Sequence, residues 1–180
     1  MKNMKIITLT NLYDKIYQDS FEPKSKFYGN VLLFLDFDGV LHPLGLNKKL
    51  DFNKVFYIEQ LLEEFPNVSI VISSSWADTH SLDELKKLLP SISKSIIGKV
   101  KEINRYNRDI CIKAWLGNTS LCRYYPWVAV DDAAFFEKDS PVVWCDSLTG
   151  LTEESFNVLK RAISSPYEYK QHCLDKNWEE

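Results

Sequence analysis

The chain has 180 residues, 45% of them hydrophobic, and its 22 basic and 25 acidic side chains leave a net charge of −3. That apolar content suffices for a single domain with a sizeable core, and the slightly acidic balance gives no global attraction to a polyanion. No segment approaches the roughly 18 consecutive apolar residues of a membrane span, and the N-terminus lacks the apolar stretch of a secretory signal, so a cytoplasmic protein is expected.

Residues 1–30 read as an N-terminal extension, in which Leu12–Tyr17 could form a short helix and Glu22–Lys26 a loop. Val31–Leu35 is an uninterrupted apolar run, the pattern of a strand buried on both faces, and it leads directly into Asp36-Phe37-Asp38-Gly39. His42–Gly45 is loop. Phe52, Val55, Phe56, Leu61, Leu62 and Phe65 then recur at helical spacing, with Pro66 ending that helix.

Val68–Ile72 predicts a second strand, followed by Ser73-Ser74-Ser75-Trp76. Ser81-Leu82-Asp83-Glu84 fits a capping box for a helix ending at Pro90, and Ser95–Gly98 a brief strand. Arg108–Leu116 predicts a helix stopped by Gly117. Trp127–Val130 is a strand that runs into a second acidic pair, Asp131-Asp132, and Val142–Trp144 is a last short strand. Thr152 caps a final helix with Glu153 and Glu154 in its first turn, leaving residues 166–180 as a tail. Strands alternating with helices predict an α/β fold, a three-layer, doubly wound parallel sheet spanning residues 31–165.

In extended chain, residues i and i+2 share a face, so Asp36 and Asp38 point together while Phe37 turns to the core. Gly39 lets the backbone bend away at once. Two carboxylates at the carboxyl end of a buried strand cost desolvation unless a proton or cation compensates, and α/β proteins place ligands at that end. If the strands bearing Asp36/Asp38 and Asp131/Asp132 are neighbours, their carboxylates converge on a point suited to octahedral Mg²⁺. Cys111, Cys122, Cys145 and Cys173 are scattered without a CxxC pair, which predicts reduced structural thiols rather than disulfides or a zinc site.

The ordered segments LDFDGVL, VISS, a basic residue and VAVDD resemble the four motifs of the haloacid dehalogenase (HAD) phosphohydrolase superfamily. VISSSW, the R-x-x-x-I-x-x-W-L pattern over Arg108–Leu116, VDD and Thr149-Gly150-Leu151-Thr152 resemble more narrowly the small HAD domains found beside RNA-repair enzymes. The resemblance implies a HAD-like Rossmannoid fold and a Mg²⁺-dependent phosphoric monoester hydrolase. Asp36 would be the nucleophile that forms an aspartyl-phosphate, and Asp38 the general acid and then the general base. Mg²⁺ would be held by a carboxylate oxygen of Asp36, the backbone carbonyl of Asp38 and the side chain of Asp131, with Asp132 lying behind these ligands or reaching the ion through water.

Ser73, or Ser74 next to it, would hydrogen-bond the phosphoryl oxygen. Arg108 would neutralise the phosphoryl charge, with Lys113 the alternative and Arg105 a third. His42 is either a substrate contact or a loop histidine without a catalytic duty, His80 and His172 have no evident partners, and Trp76 and Trp115 read as core. Many relatives carry a basic residue after SSSW, whereas Ala77-Asp78 stands here and leaves a second phosphate contact unsupported.

About 34 residues separate Asp38 from Ser73, and a similar number Ser74 from Arg108, too few for an inserted cap domain. The expected site is therefore open. An open site admits the end of a polymer, so the expected substrate is a phosphorylated molecule such as a nucleotide or a nucleic-acid terminus, with a phosphoprotein a further option. Lys94, Lys99, Lys101, Arg105 and Arg108, interleaved with Tyr106, form either a basic rim for a nucleic-acid backbone or a solvated face. Two other roles fit the same motifs: a catalytically weak HAD-like module used for binding or regulation, and an RNA-repair accessory beside a ligase or kinase. No GxxxxGK[ST] motif is present, and no protein partner is named by the sequence.

Overall fold

The structure, a computed structural model, describes residues 30–44, 52–101, 107–119, 125–133 and 135–176. Residues 1–29 of the extension, Arg105, Tyr106 and Cys122 lie outside them.

The elements, in order, are β1 (Val31–Leu35), α1 (Val55–Glu64), β2 (Val68–Ile72), α2 (Trp76–Thr79), α3 (Leu82–Leu88), a 3-10 turn (Ser93–Ser95), β3 (Ile96–Lys99), α4 (Arg108–Asn118), β4 (Trp127–Asp131), β5 (Val142–Trp144), α5 (Glu153–Ser164) and α6 (Pro166–Lys176). The five strands form one sheet in the order β3-β2-β1-β4-β5, and every pairing is parallel. This is the predicted doubly wound arrangement, and among the described residues no sizeable cap stands between the motifs.

Strand alternation divides the core in two. Val31, Leu33, Leu35, Val68, Ile70, Ile72, Val128 and Val130 pack on one face beneath α1, α3 and α5, through side chains such as Ile58, Leu61, Leu85, Phe156 and Leu159. Leu32, Phe34, Val71, Ala129 and Val142 pack on the other face against Cys111, Ile112 and Leu116 of α4. All five residues of β1 are fully buried, so each large side chain contributes about 1.5–3 kcal/mol of transfer free energy. Phe34 meets the rings of Trp115 and Trp127 edge-on, at 5.7 Å in each case. A Cβ on Gly98 would lie 2.8 Å from Trp115, so the glycine makes room for that ring, which is partly buried and packs against the core.

The predicted capping box at Ser81 and Glu84 is present, and Thr152 caps α5 by accepting from the Ser155 amide. Two boundaries differ from expectation. Helix α4 runs through Gly117 to Asn118, because Gly117 does not take the left-handed conformation that would stop it, and Thr119 closes the helix instead. The expected tail begins with helix α6. Its Pro166 occupies a first helical position, where a missing N–H costs nothing, and Tyr169 donates its hydroxyl to the Val142 carbonyl at 2.7 Å. Few apolar side chains on a mostly polar segment leave little periodicity to read.

Among the described residues Cys111, Cys145 and Cys173 form no disulfide. Burial pushes the Cys145 thiol up to about 12, consistent with an inert structural role.

Candidate active site

The hydrogen-bond ladder itself assembles the site. Leu35 pairs with Ile72 of β2 and with Val130 of β4, so the next residues, Asp36, Ser73 and Asp131, stand side by side at the carboxyl ends of three adjacent strands. Each follows its strand's alternation on the side of Phe34, Val71 and Ala129, the face covered by α4. The first residue of α4 is Arg108. Asn107 caps this helix by accepting from the Ile110 amide, and the Arg108 amide donates to the Phe135 carbonyl at 2.7 Å. Arg108 is thereby held over the strand ends.

Its guanidinium reaches all three positions. Nη2 lies 3.6 Å from Asp36 Oδ2, Nε lies 3.5 Å from Asp131 Oδ2, and Nη1 donates to the Ser73 carbonyl. Asp36 Oδ1 also accepts from the Phe37 amide at 2.7 Å, and the Ser74 hydroxyl hydrogen-bonds the same carboxylate. Asp131 Oδ1 accepts from the Ala133 amide at 2.9 Å. Asp131 Oδ2 and Ser73 Oγ are buried without a hydrogen-bond partner.

Burial dominates the electrostatics. It raises Asp36 to about 6, against the lowering effects of Arg108, the Phe37 amide and the Ser74 hydroxyl. Burial, with the charge of Asp36 beside it, raises Asp131 to about 7 in spite of Arg108. Asp132 is raised as well, chiefly by burial. One guanidinium does not offset this concentration of carboxylates.

The residues fit a divalent cation. Oxygens of Asp36, Asp131 and Asp132 lie within 4.8 Å of one another, and one of the buried oxygens lacks a donor. An all-oxygen set of this kind suits Mg²⁺. Gly39 shapes the approach. It has φ +71°, and a Cβ there would fall 2.1 Å from Asp132 Oδ2.

Asp38 stands apart from this cluster. Its side chain is 37% exposed, with Oδ1 2.8 Å from His42 Nε2 and Oδ2 accepting from Trp76 Nε1 at 3.0 Å. The extended-chain expectation that Asp36 and Asp38 share a face fails because the chain turns immediately. The Phe37 carbonyl accepts the amides of Val40, Leu41 and His42.

Other expectations are corrected. Lys113, the alternative cation, points elsewhere, pairing with Asp109 at 2.5 Å and Glu137 at 2.9 Å. Burial works against its charge, but these partners outweigh it and hold the ammonium above the usual lysine range. The Asp109–Lys113 spacing of i,i+4 was a legible sign of that pairing. Lys99 does not belong to a free basic rim, since its ammonium donates to the Ala77 and His80 carbonyls at 2.6 Å each and closes the end of α2. Lys94 and Lys101 remain exposed.

Trp76, expected as core, directs its indole N–H at Asp38, and His80 stacks on its ring. Sequence reasoning also passed over Asp109. This fully buried carboxylate accepts from Ser140 and ties the first turn of α4, next to Arg108, to the segment before β5.

A parallel sheet in this order, with an acidic pair where the first strand ends and a second pair on its neighbour, defines a HAD-superfamily domain. Residues 32–156 match the family described as the HAD domain in Swiss Army Knife RNA repair proteins, and the chain belongs to that family. Comparison with curated proteins and with solved structures gives no match. No helix among the described residues is long and apolar enough to cross a membrane.

Proposed function

We propose that the chain is a Mg²⁺-dependent phosphohydrolase that works through an aspartyl-phosphate on Asp36, with an open site that accepts nucleotides or phosphorylated nucleic-acid ends. The observation that carries this reading is the register of Asp36, Ser73 and Asp131 on one face, spanned by the Arg108 guanidinium. Asp36, Asp131 and Asp132, with the Asp38 backbone carbonyl, would hold the metal. When bound, it would supply positive charge to the phosphoryl oxygens and keep the Asp36 carboxylate ionised despite its burial.

Asp36 attacks phosphorus, Asp38 gives a proton to the leaving oxygen and Arg108 takes up the phosphoryl charge. Asp38 then takes a proton from the water that cleaves the aspartyl-phosphate. Of the two serines, Ser73 has the hydroxyl without a partner, which favours it as the phosphoryl donor, while Ser74 serves Asp36. The partial exposure of Asp38 supports a site open enough for the end of a polymer. The RNA-repair association of the family supports a nucleic-acid substrate.

The test is a phosphatase panel with Mg²⁺, comprising an aryl phosphate, mononucleotides and oligonucleotides bearing a 3′- or 5′-phosphate, run on the protein and on Asp36→Asn. Turnover is expected in the former and none in the latter, with the fold of the variant intact by circular dichroism. Mg²⁺ binding without turnover across the panel would instead favour a binding or regulatory module.

A further inference from the structure

The donors on Asp38 have no part in holding a metal, yet they are the most elaborated contacts at the mouth of the site. A partly exposed aspartate ordinarily samples several rotamers. Here both carboxylate oxygens are engaged, Oδ1 by His42 Nε2 and Oδ2 by Trp76 Nε1, and neither donor is free to follow a moving carboxylate. His42 is 7% exposed, its ring edge-on to Phe52 at 5.3 Å and near Trp76 at 6.4 Å. Trp76 lies edge-on to Phe37 and Phe52, at 5.9 Å each, with His80 stacked at 5.3 Å.

The backbone reinforces the arrangement. Gly39 donates to the His42 carbonyl at 2.9 Å, and Asp38 and His42 form a bridge across the turn. Five rings from three segments therefore fix two N–H or N groups on one carboxylate. Packing alone accounts for the apolar parts of these rings. It does not account for a buried histidine whose ring nitrogen faces an acid at 2.8 Å.

We infer that His42 and Trp76 are positioning residues that hold the Asp38 carboxyl in the single orientation from which it protonates the leaving group. The inference rests on the phosphatase reading above. An indole N–H only donates, so Oδ2 is an acceptor in both protonation states, and the proton that leaves Asp38 leaves from Oδ1, the oxygen His42 positions. In the first half-reaction a bond forms between Asp36 and phosphorus and the bond from phosphorus to the leaving oxygen breaks. The bonding pair stays on that oxygen, which takes the Asp38 proton and departs as a neutral alcohol. Asp38 remains as a carboxylate facing both rings. A leaving oxygen that is already a weak base, such as dinitrophenolate, departs without that proton, whereas a nucleoside hydroxyl does not.

The test compares kcat for a nucleoside monophosphate and for dinitrophenyl phosphate in the protein, in Trp76→Phe, which keeps an aromatic side chain and deletes the N–H, and in His42→Leu and His42→Gln. General acid catalysis contributes about 10²–10⁴-fold, so misplacing the acid is expected to cost about 10–100-fold with the nucleotide. The loss with dinitrophenyl phosphate should be at least about tenfold smaller than with the nucleotide. His42→Gln, which can return a nitrogen to the same place, should recover part of what His42→Leu loses. Equal losses on both substrates, or no loss on either, would overturn the positioning role. Absence of turnover by the unaltered protein on both substrates would overturn the phosphatase reading itself and this inference with it.

Discussion

Arg108→Met removes the guanidinium and leaves Asp36 and Asp131 facing each other in a buried space. At 3.6 and 3.5 Å, each contact has a gross Coulomb energy of about 4–5 kcal/mol at an effective dielectric of about 20. Much of this offsets the desolvation of an arginine only 20% exposed, and deleting one partner of a buried pair costs about 3–5 kcal/mol. Protonation limits the damage, which makes the loss depend on pH. Both carboxyls sit above the ordinary value of 3.8, Asp36 at about 6 and Asp131 at about 7. Their contribution to stability is therefore complete below about pH 4 and is lost as pH rises through those values.

Arg108 lowers both values, so the variant's carboxyls titrate higher and lose more at the alkaline end. In urea unfolding with a chelator present, followed by tryptophan fluorescence, Arg108→Met should lose about 3–5 kcal/mol at pH 8 and substantially less at pH 5. The unaltered protein in chelator should itself weaken by a few kcal/mol over that interval, and Mg²⁺ at about a hundred times its Kd should return about 2.7 kcal/mol at pH 8. A loss below about 1 kcal/mol at pH 8, or the same loss at both pH values, would refute the coupling of Arg108 to the two carboxylates.

Two further substitutions separate the site from the scaffold. Gly39→Ala forces an L side chain into φ +71° and drives its Cβ onto Asp132, so a cost of about 1–2 kcal/mol and a weakened Mg²⁺ affinity by calorimetry are expected; a variant with unchanged affinity would show that Asp132 does not help hold the metal. Tyr169→Phe deletes the hydroxyl bonded to Val142 and should lower the unfolding free energy by about 1 kcal/mol without altering Mg²⁺ binding, and an unchanged urea midpoint would mean that α6 adds nothing through this contact.

The fold was legible because the parallel sheet writes itself plainly. Val31–Leu35, Val68–Ile72 and Trp127–Val130 are buried runs ending in chemically distinctive residues, and their adjacency follows from the doubly wound rule. Asp36, Ser73 and Asp131 could be placed together for the same reason. The choice between Ser73 and Ser74 needed the end of β2 to one residue, which side-chain type alone does not give. That Arg108 lies over the strand ends while Lys113 turns to Asp109 and Glu137 depends on what else each cation touches, and only the Asp109 pairing was visible locally.

The contacts of Asp38 were not legible. Trp76 reaches it from 38 residues away, and an indole whose ring packs on Phe37 and Phe52 while its N–H meets an acid has the same sequence signature as a core tryptophan. Nor could Lys99 be known to close α2, because its acceptors are backbone carbonyls.

The alternation that aligns the three strand ends carries an asymmetry in how much error each strand can absorb. Sliding a strand by one residue exchanges its faces. On β2 such a slip replaces Ser73 by Ser74 and still offers a hydroxyl; on β4 it replaces Asp131 by Asp132 and still offers a carboxylate. On β1 it replaces Asp36 by Phe37 and leaves a benzyl group where a carboxylate stood. The outer two of the three strands thus carry duplicate letters at the position that matters, and the central one carries none. A single-residue deletion should be survivable for the site's chemistry in β2 or β4 and fatal in β1, the strand that pairs with both of the others.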